Sequence, residues 1–221
     1  MSDKFLRLFS HKTPALQAKF RSSDADVTTI KVQHRLGACA DQNSIAYLDS
    51  VGSNEKLAAF RQFYAEHDGA EICRIHDPRV RRVVALLDLK PAFNIAEFSD
   101  RYAPHGDLAW TIDLNKSRTL YRSSDSWIAF AAIHGGPACL TMFLDGENAG
   151  SIFYVTPQPE FNTLKPIAKG FHLLLERVAK DLPAFLRLVR ATVTVRGSDG
   201  QFYGFAPVGY LDNFEQDVRK H

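Results

Sequence analysis

Apolar positions along this chain alternate between a period of two and a helical period. Val27-Thr-Thr-Ile-Lys-Val32 alternates and is rich in β-branched residues, which predicts a strand. Leu57, Phe60, Phe63, Tyr64 and His67 recur at helical spacing, predicting a helix over 56–67 that Ser53 or Asn54 caps and Gly69 ends. Residues 70–75 read as the next strand. Asp77-Pro78 opens a segment in which Val80, Val83, Val84 and Leu87 share a helical face, with a strand over 83–89 as the alternative. Pro91 opens a further helix reaching Tyr102. The small, polar residues 37–52 predict a loop, and residues 1–26, basic and broken by Pro14, a loose arm with room for one helical turn.

From Ala109 the period is two. Trp110-Thr-Ile-Asp-Leu114 and Arg118-Thr-Leu-Tyr-Arg122 flank a turn and predict a hairpin. Strands follow over 127–133, 138–144 and 150–156, joined by His134-Gly-Gly-Pro137 and Asp145-Gly-Glu-Asn148. Strict alternation puts Trp127, Ala129, Ala131 and Ile133 on one face, small enough for a helix to approach, and makes Trp127 a buried structural residue. That helix is expected over 166–182, with Ile167, Phe171, Leu174, Leu175, Val178 and Leu182 as its apolar stripe. Pro183 ends or kinks it, and a short helical piece runs on to Arg190. Residues 191–196 and 201–205 form a hairpin around an Asp-Gly turn. Phe202, Tyr203, Phe205 and Tyr210 must then pack on the body, on a second copy or on a partner, since a hairpin alone cannot bury them.

The chain has 221 residues, 45% of them hydrophobic, enough for a sizeable core in one domain. Residues 1–21 carry Lys4, Arg7, Lys12, Lys19 and Arg21 against Asp3, a net of +4. The rest therefore carries −2 of the total +2, too little for a global field that would draw in nucleic acid. Cys39, Cys73 and Cys139 show no metal-ligand spacing, and an odd count fits a reducing cytoplasm. No apolar run is long enough to span a membrane, and residues 1–10 do not read as a signal peptide.

Chemistry-bearing motifs are sparse. His134-Gly-Gly136 has the look of an oxyanion loop, but no G-x-S-x-G elbow accompanies it. Eight histidines are scattered without metal spacing. The Asp145-Gly-Glu147-Asn148 tetrad is a tight turn rather than a calcium loop. Arg79-x-Arg81-Arg82 is the solvated side of an element, without the interleaved aromatics of a nucleic-acid groove. No cofactor or metal is expected.

The unit from Trp127 to Asp181 resembles the core of the SUKH superfamily, which holds Smi/Knr-type cell-wall regulators and bacterial immunity proteins. It has an early Trp, a Phe-Ala step at Phe130, a Gly-Gly turn at Gly135 and Gly136, an Asp-Gly turn at Asp145, and then a long helix. The Phe60-x-x-Phe63-Tyr64 helix leading to Asp68-Gly69 is similar to the first helix of that family. The resemblance covers roughly residues 45–185. It implies an α+β fold, a largely antiparallel central sheet flanked by helices, here with an added C-terminal hairpin over about 191–206. The division expected is an arm over 1–26, one domain over 27–213 and a tail over 214–221. The resemblance also implies a non-catalytic protein that neutralises a bacterial toxin domain, such as a nuclease, by stoichiometric binding; the cysteine count points to the cytoplasm, and monomer and homodimer both stay open. A Smi/Knr-like regulatory scaffold or a small hydrolase acting through His76, Asp77 or His134 are the alternatives. Trp127, Phe130, Gly135, Gly136 and Asp145 would be structural. Asp125, His134, Glu147 and Asn148, flanking strand ends, would be the partner-contacting residues, with Glu147 near His134.

Overall fold

Two antiparallel sheets share one core. The computed structural model describes residues 3–10, 14–20, 28–76, 82–100, 126–134, 138–156, 165–196, 200 and 202–207. The larger sheet has six strands in chain order: β3 (Gln33–Leu36), β4 (Ala70–Ile75), β5 (Val84–Leu89), β6 (Trp127–Ile133), β7 (Ala138–Phe143) and β8 (Ile152–Val155). The smaller runs β2 (Thr28–Lys31), β1 (Pro14–Phe20), β10 (Phe202–Pro207), β9 (Val193–Arg196). With six α-helices among the described residues, this is the expected α+β fold. The helices are α1 (Asp3–Ser10), α2 (Gln42–Ser50), α3 (Ala58–Glu66), α4 (Ala92–Asp100), α5 (Phe171–Lys180) and α6 (Leu182–Leu188).

The core centres on aromatic rings. Phe60 lies 5.2 Å from Phe171 and 5.8 Å from Phe130, and Phe130 and Phe171 are 5.7 Å apart. Phe60 and Phe63 project from α3 at the helical spacing read in the sequence, and both are buried. The helix ends at Glu66 with His67 as its C-cap, so Gly69, at φ +90, does not cap it as expected but turns the chain into β4. A Cβ there would crowd the backbone of Leu89 and Pro91, so glycine is required on two counts.

Several elements differ from the sequence reading. The segment expected as a loose arm contributes α1 and β1. Phe5 is fully buried 6.0 Å from Phe63, and β1 is an inner strand paired with β2 on one side and β10 on the other. Residues 37–52 contain a helix, α2, whose first turn is capped by the Asp41 carboxylate accepting from the Ser44 amide at 2.8 Å. Residues 84–89 form a strand, the alternative held open there: Val84 and Leu87 pair with β4, and Leu87 also with β6. The helix expected from Pro166 begins at Phe171. Ahead of it, Ile167 and Ala168 hydrogen-bond to Ile152 on the outer edge of β8. Asp181 divides α5 from α6; its carboxylate accepts from the Ala184 amide at 2.9 Å, and Pro183 sits in the first turn of α6. The hairpin over 110–122 lies outside the described residues. The C-terminal hairpin forms as read, and Tyr203 and Phe205 are buried in the common core.

Strand β6 does not keep strict alternation. Its register against β7 shifts between Ala129 and Ala131, so that Phe130 is an extra residue. Ile128, Phe130, Ala131 and Ile133 all enter the main core, while Ala129 joins Cys139 and Val155 on the other side of the sheet, with Phe98 and Trp127 against them. The single small-residue face therefore does not exist. Helix α4, not α5, runs beside β6: where β5 has ended, the Ala129 amide donates to Ser99 Oγ at 3.0 Å.

Candidate functional site

Charged side chains gather on the β3–β5 half of the large sheet. Arg35, Glu71 and Asp88 stand in register across three strands, with Ala132 next in the row. Glu71 is also joined by Arg74, although strand alternation alone would set residues three apart on opposite faces. A bulge explains it. Three residue steps of β4, from Glu71 to Arg74, face two of β3, from Arg35 to Gln33. Cys73 takes φ 57, and its amide donates to His34 Nδ1 at 3.0 Å instead of to a strand carbonyl. Arg74 Nε then lies 3.0 Å from Glu71 Oε2, though its N–H is not aimed at the oxygen, and Arg35 lies 3.9 Å from the same oxygen. Lys90 Nζ meets Asp88 Oδ2 at 2.5 Å and sits 5.4 Å from the centre of the Phe98 ring.

A cleft of about 280 Å³ opens beside these groups, lined by Arg35, Gly37, Asp68, Glu71, Asp88 and Pro91 among others. Asp68 is its structural hub. One carboxylate oxygen accepts from Ser44 Oγ at 2.7 Å and the other from the Ala92 amide at 2.6 Å, joining α2 to the start of α4. A Cβ on Gly37 would overlap the Asp68 carbonyl, so the chain can pass there only as glycine. Three acids and one base, Arg35, thus line the cleft, while Arg74 and Lys90 reach Glu71 and Asp88 from beside it. Glu71 and Asp88 are matched by bases, and Asp68 by donors of the chain. Tyr64 lies behind them, its hydroxyl buried without a hydrogen-bond partner and its pKa raised by burial first and by Asp68, Tyr47 and Asp88 after it.

The residues expected to contact a partner do not come together. His134 ends β6; its amide donates to the Leu86 carbonyl at 3.0 Å and its carbonyl accepts from the Thr192 amide at 2.8 Å. Half-buried, it belongs to the charged face: burial lowers its pKa, Asp88 opposes and Lys90 adds to the fall. Glu147 and Asn148 lie at the other end of the strands, because β7 runs back from Ala138 opposite Ile133 to Phe143 opposite Trp127. Six strand steps, about 20 Å, separate the two ends. The expected proximity of Glu147 to His134 is therefore wrong.

The loop after β7 is braced. Asp145 Oδ1 accepts from the Ser126 amide at 2.9 Å, the Glu147 carbonyl accepts from Lys56 Nζ at 3.5 Å, and the Asn148 carbonyl from the Ser151 amide at 2.8 Å. Asp145 and Glu147 are exposed. Phe130 is buried, as a structural residue should be, whereas Trp127 is only half-buried. Asp125, Gly135 and Gly136 lie outside the described residues. Sequence reasoning missed Asp68, Glu71 and Asp88. Alternation with apolar neighbours marks Glu71 and Asp88 as positions off the core face of their strands, and Asp68 reads only as a turn residue before Gly69; nothing local says that the fold brings the three together.

Among the described residues, no group of three His, Cys, Asp or Glu side chains is gathered to hold a metal ion, and no helix is long and apolar enough to cross a membrane. A scan against protein-family models finds no match, and a search of curated proteins finds no relative.

Proposed function

We propose that this chain is a non-catalytic binding protein of SUKH type, an immunity protein that neutralises a bacterial toxin domain by forming a one-to-one complex. The observation that supports the reading is the internal pairing of the charged face. Glu71 is engaged by Arg74, Asp88 by Lys90, and both oxygens of Asp68 by Ser44 and Ala92. A general base or nucleophile needs a group placed to take a proton or to attack. Carboxylates held by their own neighbours serve structure instead, and stoichiometric inhibition requires only a complementary surface. The loop over 144–150 offers such a surface: it holds exposed Asp145 and Glu147 on a braced backbone, which lowers the ordering cost of binding. A nuclease toxin is basic where it meets phosphates, and acids on its inhibitor speed encounter. We place the protein in the cytoplasm, a reading supported by three free thiols.

The test is co-expression with the toxin domain encoded beside this chain's gene. Growth should be rescued, and a one-to-one complex should form whose association slows as salt rises. Glu147→Lys should lower the association rate about two- to fivefold while leaving the fold intact. If rescue fails and no complex forms, while the purified protein turns over a small substrate unaided, a hydrolase replaces this reading.

A further inference from the structure

Two outward faces of the helices carry matching patterns of opposite sign. On α2, Ile45 is 47% exposed and stands four residues from Asp41 and four from Asp49, both exposed. On α4, Phe93 is 50% exposed, with Ala96 and Asp100 exposed along the same side. The Asp68 carboxylate holds Ser44 and Ala92 at once, so the residues that follow them, Ile45 and Phe93, emerge close together. No lysine or arginine occurs between Leu36 and Lys56 or between Lys90 and Arg101. The result is an apolar pair rimmed by acids.

The opposite pattern lies on α5. Leu173 is 40% exposed, with Arg177 four and Lys180 seven residues on, both exposed; Lys169 is exposed just ahead of the helix, and Glu176 and Asp181 are exposed acids nearby. Leu188, also 40% exposed, and Arg187 continue the same chemistry on α6. Helix α3 packs against both α2 and α5. The acidic and basic faces therefore flank one central helix.

We infer that a second copy of this chain covers these faces, in a two-fold dimer where α2 and α4 of each protomer lie on α5 of the other. Apolar side chains meet at the centre of each contact, and the acids of one copy face the bases of its partner. Four residues advance a helix by about 6 Å, so Ile45 and Asp49 on α2 stand at the same interval as Leu173 and Arg177 on α5. Like faces repel and unlike faces attract, which selects this arrangement over acidic face on acidic face. A two-fold axis near α3 makes both contacts at once and closes the assembly. A foreign basic partner would match the acidic face alone and leave the exposed leucines among bases on α5 without a counterpart. The inference does not depend on the toxin reading.

The experiment is sedimentation velocity on the full chain from about 1 to about 100 µM, at low and high salt. The wild-type protein should pass reversibly from monomer to dimer, with association weakened about tenfold or more by high salt. Phe93→Ala should weaken it about tenfold. Asp49→Lys and Lys180→Glu, both at exposed positions, should each remove the dimer while keeping the wild-type melting temperature. Mixed in equal amounts, those two variants should recover it, since the reversed acidic face of one meets the reversed basic face of the other. A single monomeric species at the highest concentration and lowest salt would overturn the inference. So would variants that associate like wild type, a mixture no better than its components, or growth beyond the dimer.

Discussion

His34 shows how one side chain answers for a backbone irregularity. The bulge in β4 leaves the Cys73 amide without a strand acceptor, and Nδ1 of His34 takes it. Packed against Phe9 at 6.0 Å, the ring is desolvated, and burial lowers its pKa from 6.5 to about 4. Protonation would put a donor where the amide needs an acceptor. In the unfolded chain the same ring titrates normally, so between pH 6.5 and about 4 the unfolded state binds the extra proton. The contribution of His34 to stability is thus complete above pH 6.5, declines as pH falls towards 4 and changes little below it, a loss on the order of 2–3 kcal/mol. His34→Asn, whose amide oxygen can accept from Cys73, should flatten that part of a stability profile from urea unfolding. An unchanged slope would assign the pH dependence to other groups.

At the scale of elements, irregularities decide which faces meet. The bulge in β6 turns both Phe130 and Ala131 inward, so the strand feeds the main core from adjacent positions. Phe130, fully buried against Phe60 and Phe171, should cost about 3–5 kcal/mol when replaced by alanine. Trp127, half-buried at the start of the strand, should cost only about 1–2 kcal/mol on the same replacement. Equilibrium unfolding of the two variants checks the order, and a larger loss at Trp127 would contradict this packing. Asp68 and Asp181 work between elements in a similar way: each carboxylate accepts from the first turn of a helix, one across 24 residues of sequence and the other across three.

For the whole molecule, the two sheets are tied by the chain's ends. Strand β1 near the N-terminus lies between β2 and β10, and Leu16 and Phe205 are both buried in the core shared with the large sheet. Deleting residues 1–20 would strip β10 of one of its two partners and β2 of its pairing with β1, and would expose Phe63 where Phe5 covers it. The truncated protein should melt well below the full chain, or fail to accumulate. A freely moving arm would leave the melting temperature unchanged, so a thermal scan of the two proteins separates the cases.

Local patterns determined much of this molecule. Strands 70–75 and 127–133 match their bounds, although a bulge interrupts the alternation of each, α3 matches its aromatic spacing, and the C-terminal hairpin pairs as its two short strands predict, because each signal lies in residues near in sequence. Helix α2 was harder to read, since its buried positions include Ser44 and its stripe is only weakly apolar. Strand β1 looked like an arm because it sits in a basic segment that opens on Pro14, and pairing with β2 on one side and with residues more than 180 positions away on the other makes it an inner strand. The candidate site was equally hidden. Arg35, Glu71 and Asp88 are separate polar positions along the chain and become a charged face only when β3, β4 and β5 fix their register. His134 and Glu147 seemed neighbours by sequence distance, yet antiparallel strands carry them to opposite ends of the sheet. Periodicity records which residues face inward; register and bulges, set by packing across the whole core, decide which of them meet.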